Sequence, residues 1–193
     1  MRFFIIILLV LLSACQFGSP GVITIEMYNG SGDMVGTASL SEQPDGVQIK
    51  LEIEGLRPGF HGIHIHEYST CEGPDFKTAG NHFNPEGKKH GLMHPEGPHL
   101  GDLPNVEADS SGRVEAEIIA NNATLLEDKF SLLGGEGTSL IISEETDDGI
   151  SQPGGESGPR IVCGEIKRDE SRSSTDQSPT DPTQSGEEDE EEP

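Results

Sequence analysis

The run Val47-Gln48-Ile49-Lys50-Leu51-Glu52-Ile53 alternates apolar and polar residues without a break. That is the period of a strand with one buried face. Residues 22–27 and 34–40 read as strands before it, and residues 61–67, 106–108, 113–120, 139–143 and 160–166 after it. Asn29-Gly30-Ser31-Gly32, Pro44-Asp45-Gly46 and Asp109-Ser110-Ser111-Gly112 supply tight turns between them. About eight short strands without a helical period predict an all-β fold, an antiparallel sandwich or barrel. Two stretches, 68–103 and 143–159, carry no strand pattern. Long ordered loops in a compact domain are usually functional, and the first of these holds most of the histidines.

The pattern changes at both ends of the chain. Arg2 precedes an unbroken apolar run, Phe3 to Leu12, which is too short to span a bilayer core of about 30 Å and suits a signal peptide over residues 1–14. The run leads into Leu12-Ser13-Ala14-Cys15, which resembles a bacterial lipobox with Cys15 as the lipidated first mature residue. The alternative is an ordinary signal peptide with a chance cysteine. On the lipobox reading, residues 15–21 form a lipidated tether. The protein then sits at a bacterial cell membrane, on the extracytoplasmic face, with the lipid as its membrane contact. Residues 22–168 carry the strand pattern. Residues 169–193 have no apolar periodicity and end in an acidic block from Glu187 to Glu192, so a disordered acidic tail is expected there.

Composition adds two constraints. The 193 residues include 12 Lys and Arg against 35 Asp and Glu, a net charge of -23. Such a chain does not bind nucleic acid or an anionic membrane surface through charge. There are 3 Cys. With Cys15 lipidated, Cys71 and Cys163 remain as an even pair, either bonded, as an oxidising compartment favours, or buried as two thiols.

The chemistry concentrates in the histidines. His64 and His66 lie two apart on a strand pattern, so both rings project from one face. The following loop adds His82, His90, His99 and Asp102, among Gly80, Gly87, Gly91, Gly97 and Gly101. Imidazole suits copper and zinc, and three imidazoles with one carboxylate suit a closed tetrahedral zinc site.

These residues sit in longer motifs. Gly59-Phe60-His61-Gly62-Ile63-His64-Ile65-His66-Glu67 resembles a signature of the Cu/Zn superoxide dismutases. So do Ala79-Gly80-Asn81-His82-Phe83-Asn84-Pro85, His90-Gly91, His99-Leu100-Gly101-Asp102-Leu103 and Gly158-Pro159-Arg160-Ile161-Val162-Cys163-Gly164. The resemblance covers roughly residues 22–166 with all main motifs in order. It implies an eight-stranded antiparallel Greek-key sandwich or barrel with two long functional loops. It further implies copper ligands His64, His66 and His82, zinc ligands His82, His90, His99 and Asp102, and His82 as the bridge between the metals. Asp147 matches the carboxylate that tethers one histidine of each metal, His64 and His90. Cys71 and Cys163 match the family disulfide, and Arg160 the catalytic arginine that attracts and orients superoxide.

One position departs from the pattern. The remaining copper histidine of the family falls on Ser143, and no histidine follows His99. His61 has odd parity relative to His64 and His66, which turns it to the opposite face, and His94 is expected to face solvent. A hydroxyl is a poor copper ligand, and Cu(II) prefers four strong tetragonal donors whereas Cu(I) tolerates fewer. The resemblance thus implies zinc, weaker or partial copper, and a dismutase of reduced activity that turns superoxide into oxygen and hydrogen peroxide. The alternatives are a zinc-containing, copper-binding module without significant turnover and a purely structural lipoprotein. The complete zinc set argues against the last.

Overall fold

The computed structural model describes residues 21–168. The expectations for the signal peptide, for Cys15 with most of its tether and for the acidic tail lie outside the described residues. Nine strands form: β1 (Ile23–Asn29), β2 (Met34–Gln43), β3 (Gly46–Ile53), β4 (Gly59–His61), β5 (Ile63–His66), β6 (Val106–Ala108), β7 (Val114–Asn121), β8 (Thr138–Ser143) and β9 (Arg160–Ile166). Among the described residues the one helical element is a 3₁₀ turn at Lys77–Ala79.

Seven strands make one antiparallel sheet in the order β5-β8-β9-β1-β2-β3-β7, and β4 pairs with β6 in a two-stranded ribbon. β4 runs into β5, and β6 is joined to β7 by the turn after Ala108. The ribbon therefore links the two ends of the curved seven-stranded sheet, as a barrel requires. The insertion of β9 between β1 and β8 is the long-range return of a Greek key.

The expected single strand over 61–67 is two strands. Gly62 stands between them, donating to Glu145 O and accepting from Ser143 N, both at 2.8 Å. Its backbone groups are thus used by the segment around Ser143 rather than by the β4–β6 ribbon, and the chain passes from the ribbon to the main sheet at this residue.

The alternation in β3 is real. Val47, Ile49, Leu51 and Ile53 are buried, while Lys50 and Glu52 are exposed. The main core joins these to Met27, Leu40, Ile63, Ile65, Leu140, Ile142 and Val162. β8 is buried along its whole length. Its Leu140 and Ile142 face the main core, whereas Ile141 packs with Phe76, Ala79 and Cys163 in a second cluster. The first long loop therefore lies over the outer face of β8 and β9. Cys71 and Cys163 are joined there in a disulfide with Cα atoms 5.7 Å apart, across a sequence separation of 92.

That disulfide closes a long stretch of chain, so its loss should destabilise the domain by about 2–5 kcal/mol. The check is urea unfolding of wild type against the Cys71→Ser, Cys163→Ser double variant. Equal midpoints and slopes would show that the bond contributes nothing to equilibrium stability.

Candidate metal centre

The centre is built on the free edge of β5. One edge of that strand pairs with β8, from Ile63 opposite Ile142 to His66 opposite Ser139. The other edge would expose unpaired backbone groups. The first long loop covers it. Ile65 N donates to Gly101 O and Phe83 N to Ile65 O, both at 2.8 Å, and Glu67 N to Asn81 O at 3.0 Å. His64 bridges to Asp102 and His66 to His82. A side chain on Gly101 would overlap the Ile65 carbonyl, so only glycine permits this approach. The strand pairing thus delivers Asp102 beside His64 and His82 beside His66.

Asp102 gathers the first group of ligands. His82 Nδ1 lies 2.8 Å, His90 Nδ1 3.0 Å and His99 Nδ1 3.4 Å from the same oxygen, Oδ1. Oδ2 accepts from Gly91 N at 2.8 Å and His99 N at 2.9 Å. Burial opposes the charge on Asp102, but the contacts from the three histidines and Gly91 prevail and hold it well below the usual carboxylate range. Donor atoms of His64, His82, His90 and Asp102 lie within 4.8 Å of one another. The bonding nevertheless assigns His64 elsewhere, because its Nε2 is taken by Asp147 while His99 Nδ1 faces Asp102.

Asp147 gathers the second group. It lies 2.6 Å from His64 Nε2 and 3.1 Å from His90 Nε2. Burial again opposes its charge, and the bonds from His64, His90 and Gly149 N lower its pKa below the ordinary range. The ring of His90 lies between two carboxylates. Burial lowers its pKa, but Asp102 and Asp147 outweigh that and raise it to about 9. A cation belongs at that nitrogen pair: a proton serves, and a metal ion shared by His90 Nδ1 and Asp102 Oδ1 would serve as well.

Ring orientation follows from the partners. His64 gives its Nε2 proton to Asp147, so Nδ1 carries the lone pair. His66 Nδ1 lies 3.0 Å from Gly80 O; a carbonyl only accepts, so Nδ1 carries the proton and Nε2 the lone pair. His82 turns Nδ1 to Asp102 and leaves Nε2. The rings of His64 and His82 stack at 4.0 Å, and those of His66 and His82 meet edge-on at 4.9 Å. Among the described residues, the buried side-chain polar atoms without a hydrogen-bond partner are His64 Nδ1, His99 Nδ1 and Ser139 Oγ. Two of the three are imidazole nitrogens of this cluster. Unpartnered buried polar atoms are rare, and an imidazole nitrogen is a donor type that suits copper and zinc.

A profile of the copper/zinc superoxide dismutase (SODC) family matches residues 34–166. The chain belongs to the copper/zinc superoxide dismutase family. It is 43% identical to superoxide dismutase [Cu-Zn] 2 of Aquifex aeolicus over 159 residues, covering 81% of this chain and 93% of that relative. It is 40% identical to the superoxide dismutase-like protein YojM of Bacillus subtilis over 145 residues, 74% of each chain. Among solved structures it is similar to a SOD-like protein from Bacillus subtilis in a double mutant with a tyrosine and a proline replaced by histidine. That match has TM-score 0.73 and 40% identity and covers 75% of this chain and 97% of the other. The superoxide dismutase family uses copper and zinc, and the His and Asp cluster has the donors for both.

The remaining predicted residues take these places. Arg160 pairs with Ser143 across β8 and β9. Its guanidinium donates to Phe76 O and Gly80 O, both at 2.8 Å. Gly80 O thus serves Arg160 and His66 together. Ser143 is buried, two residues beyond Ile141, which faces His64 across the strand pair. His61 is outside the cluster, as its parity predicts, and its ring nitrogens lie 2.9 Å from Ser143 O and 2.7 Å from Arg57 O. His94 stays outside the cluster, partly exposed in the loop, where its Nδ1 accepts from Glu96 N at 3.0 Å in a local turn. The sequence reading passed over Gly155. It has φ +64°, and any side chain there would strike Asp147 and His90; its pairing with Gly154 was the available signal.

The site's titration can be tested without metal. Burial, with His82 and Arg160 nearby, pushes the His66 pKa down to about 2. The folded protein then binds fewer protons at His66 than the unfolded chain does below about pH 6.5, so this residue costs stability as pH falls. His66→Gln should flatten the unfolding free energy of metal-free protein against pH by about 1.4 kcal/mol per pH unit between roughly pH 4 and 6. Urea titrations across that range provide the measurement, and an unchanged slope would contradict it.

Proposed function

We propose that the protein is a zinc-containing superoxide dismutase of reduced activity, anchored by lipid to the extracytoplasmic face of a bacterial membrane. The convergence of three ring Nδ1 atoms on Asp102 Oδ1, with His82 Nε2 left over, carries the reading. Zinc would be held by His82, His90, His99 and Asp102. Copper would be held by His64, His66 and His82, with Ser143 at the position of a fourth ligand. Bound copper would supply one-electron redox chemistry, by which two superoxide anions and two protons become oxygen and hydrogen peroxide. Asp147 holds His64 and His90 in the required tautomers. Arg160 has donors beyond the two it spends on Phe76 O and Gly80 O, and its charge draws the anion towards the β8–β9 face against an acidic surface.

A second reading has one observation in its favour. Ser143 stands directly opposite Arg160, beside the group that would receive superoxide, and its hydroxyl adds no strong copper donor. On that reading the domain binds zinc and holds copper without significant turnover.

Ser143→His separates the two. Added imidazole completes a tetragonal donor set and favours Cu(II). At equal measured copper loading, dismutation should rise by about tenfold, the equivalent of about 1.4 kcal/mol on the barrier. Overpacking is read separately, as about 1–3 kcal/mol of lost stability. A variant whose Cu(II) spectrum shows the extra nitrogen but whose rate is unchanged would sink the ligand argument and leave poor anion steering as the limit.

Cys15→Ala tests the anchor. The wild-type protein should fractionate with membranes and carry acyl mass, and the variant should lose both. Identical fractionation of the two would remove the lipid from the proposal.

A further inference from the structure

The two long loops are joined by more than Asp147. Asn105 follows the ligands of the first loop. Its Nδ2 donates to Asp147 O at 2.8 Å, and its Oδ1 accepts from Asp147 N at 2.9 Å. Gln152 belongs to the second loop. Its Oε1 accepts from His90 N at 3.0 Å, and its Nε2 donates to His90 O at 2.9 Å and to Ile150 O at 2.9 Å. Each side-chain amide thus satisfies both backbone groups of one residue, as a neighbouring strand would.

The two clasps run in opposite directions. The first loop holds the second at Asp147, and the second holds the first at His90. The two held residues touch through His90 Nε2 and Asp147 at 3.1 Å. Asn105, Asp147, His90 and Gln152 therefore link into one chain of contacts that crosses between the loops three times. A carboxamide carries a donor and an acceptor side by side on two separate atoms, and so can meet a backbone N–H and a carbonyl at once. A carboxylate at residue 152 would keep the bond from His90 N but set an oxygen against His90 O.

We infer that Gln152 is a positioning residue of the metal centre, which from the second loop fixes the backbone of His90 and, with the clasp of Asn105 on Asp147, strengthens the hold on zinc. Gln152 acts through the backbone of His90, which is fully buried. The inference rests on the reading of His90 as a zinc ligand. It adds that the second loop, which supplies no zinc ligand, contributes to zinc affinity through the amide of Gln152.

The test compares full-length wild type, Gln152→Ala, Gln152→Glu, Asn105→Ala and the Asn105→Ala, Gln152→Ala double variant. Zinc affinity is measured by competition with a chromophoric chelator, and hydrogen exchange is followed over residues 86–103 and 144–158 with and without zinc. Each hydrogen bond lost is modest in net terms, so Gln152→Ala should raise the zinc Kd about three- to tenfold. It should also reduce the protection that zinc confers on residues 144–158. Gln152→Glu should not rescue either property. The double variant should lose less than the product of the single losses, because either clasp opens the same unit.

Wild-type zinc affinity and wild-type protection of residues 144–158 in Gln152→Ala would overturn the inference. So would a lower unfolding midpoint of the metal-free variant with zinc affinity unchanged, which would mark a merely structural role. Failure of the ligand reading looks different. His90→Gln should weaken zinc by more than the roughly tenfold to hundredfold that loss of an outer partner costs; wild-type affinity in that variant would remove His90 from the zinc set.

Discussion

A carboxylate with 1% of its side chain exposed is stable only if every lone pair is used. Asp102 meets that condition with hydrogen bonds from two imidazoles on one oxygen, a third imidazole 3.4 Å away, and two backbone N–H groups on the other oxygen. Those contacts come from residues 82 to 99, half of the first long loop. A loop of that length has a large entropy to lose. Its shape is set by the one buried charge that it must surround, and the ligands reach their places because Asp102 does.

Asp102 is itself placed by the sheet. Its backbone bridges to His64 on the free edge of β5, and Gly101 beside it presses against Ile65 more closely than any side chain would allow. Protection of a strand edge and assembly of the centre are therefore one act. The second metal position inherits this order through His82, and Gly80 O extends it to His66 and Arg160. The disulfide acts at the far end of the same loop, where Phe76 and Ala79 cover Ile141 and Cys163.

Legibility followed the physics of each feature. Alternation found β3 because one of its faces is buried and the other wet. It could not show that residues 61–67 are two strands, because the break at Gly62 is made by backbone bonds to Glu145 and Ser143, far away in the chain. The cluster of His64, His82, His90 and Asp102 was legible as motifs, since a metal ligand can be only a few residue types. The tether from Asp147 to both His64 and His90 came from family resemblance and agrees with the geometry. Asn105 and Gln152 were not legible, because a carboxamide in a loop has no pattern of its own; what they do depends on which backbone lies within 3 Å.

The same dependence explains how the fold accommodates Ser143. The backbone of that residue has structural work: its N–H reaches Gly62 O and its carbonyl lies 2.9 Å from the His61 ring. Neither bond involves the side chain. The zinc-side residues, in contrast, hold the loop through the side chains themselves, above all Asp102. A substitution at residue 143 therefore changes the chemistry beside Arg160 while leaving the strand pairing in place, whereas a substitution at residue 102 would remove the charge around which the loop is folded. Loss of the Asp102 carboxylate would therefore be felt first by the fold, and a change at Ser143 first by the chemistry beside Arg160.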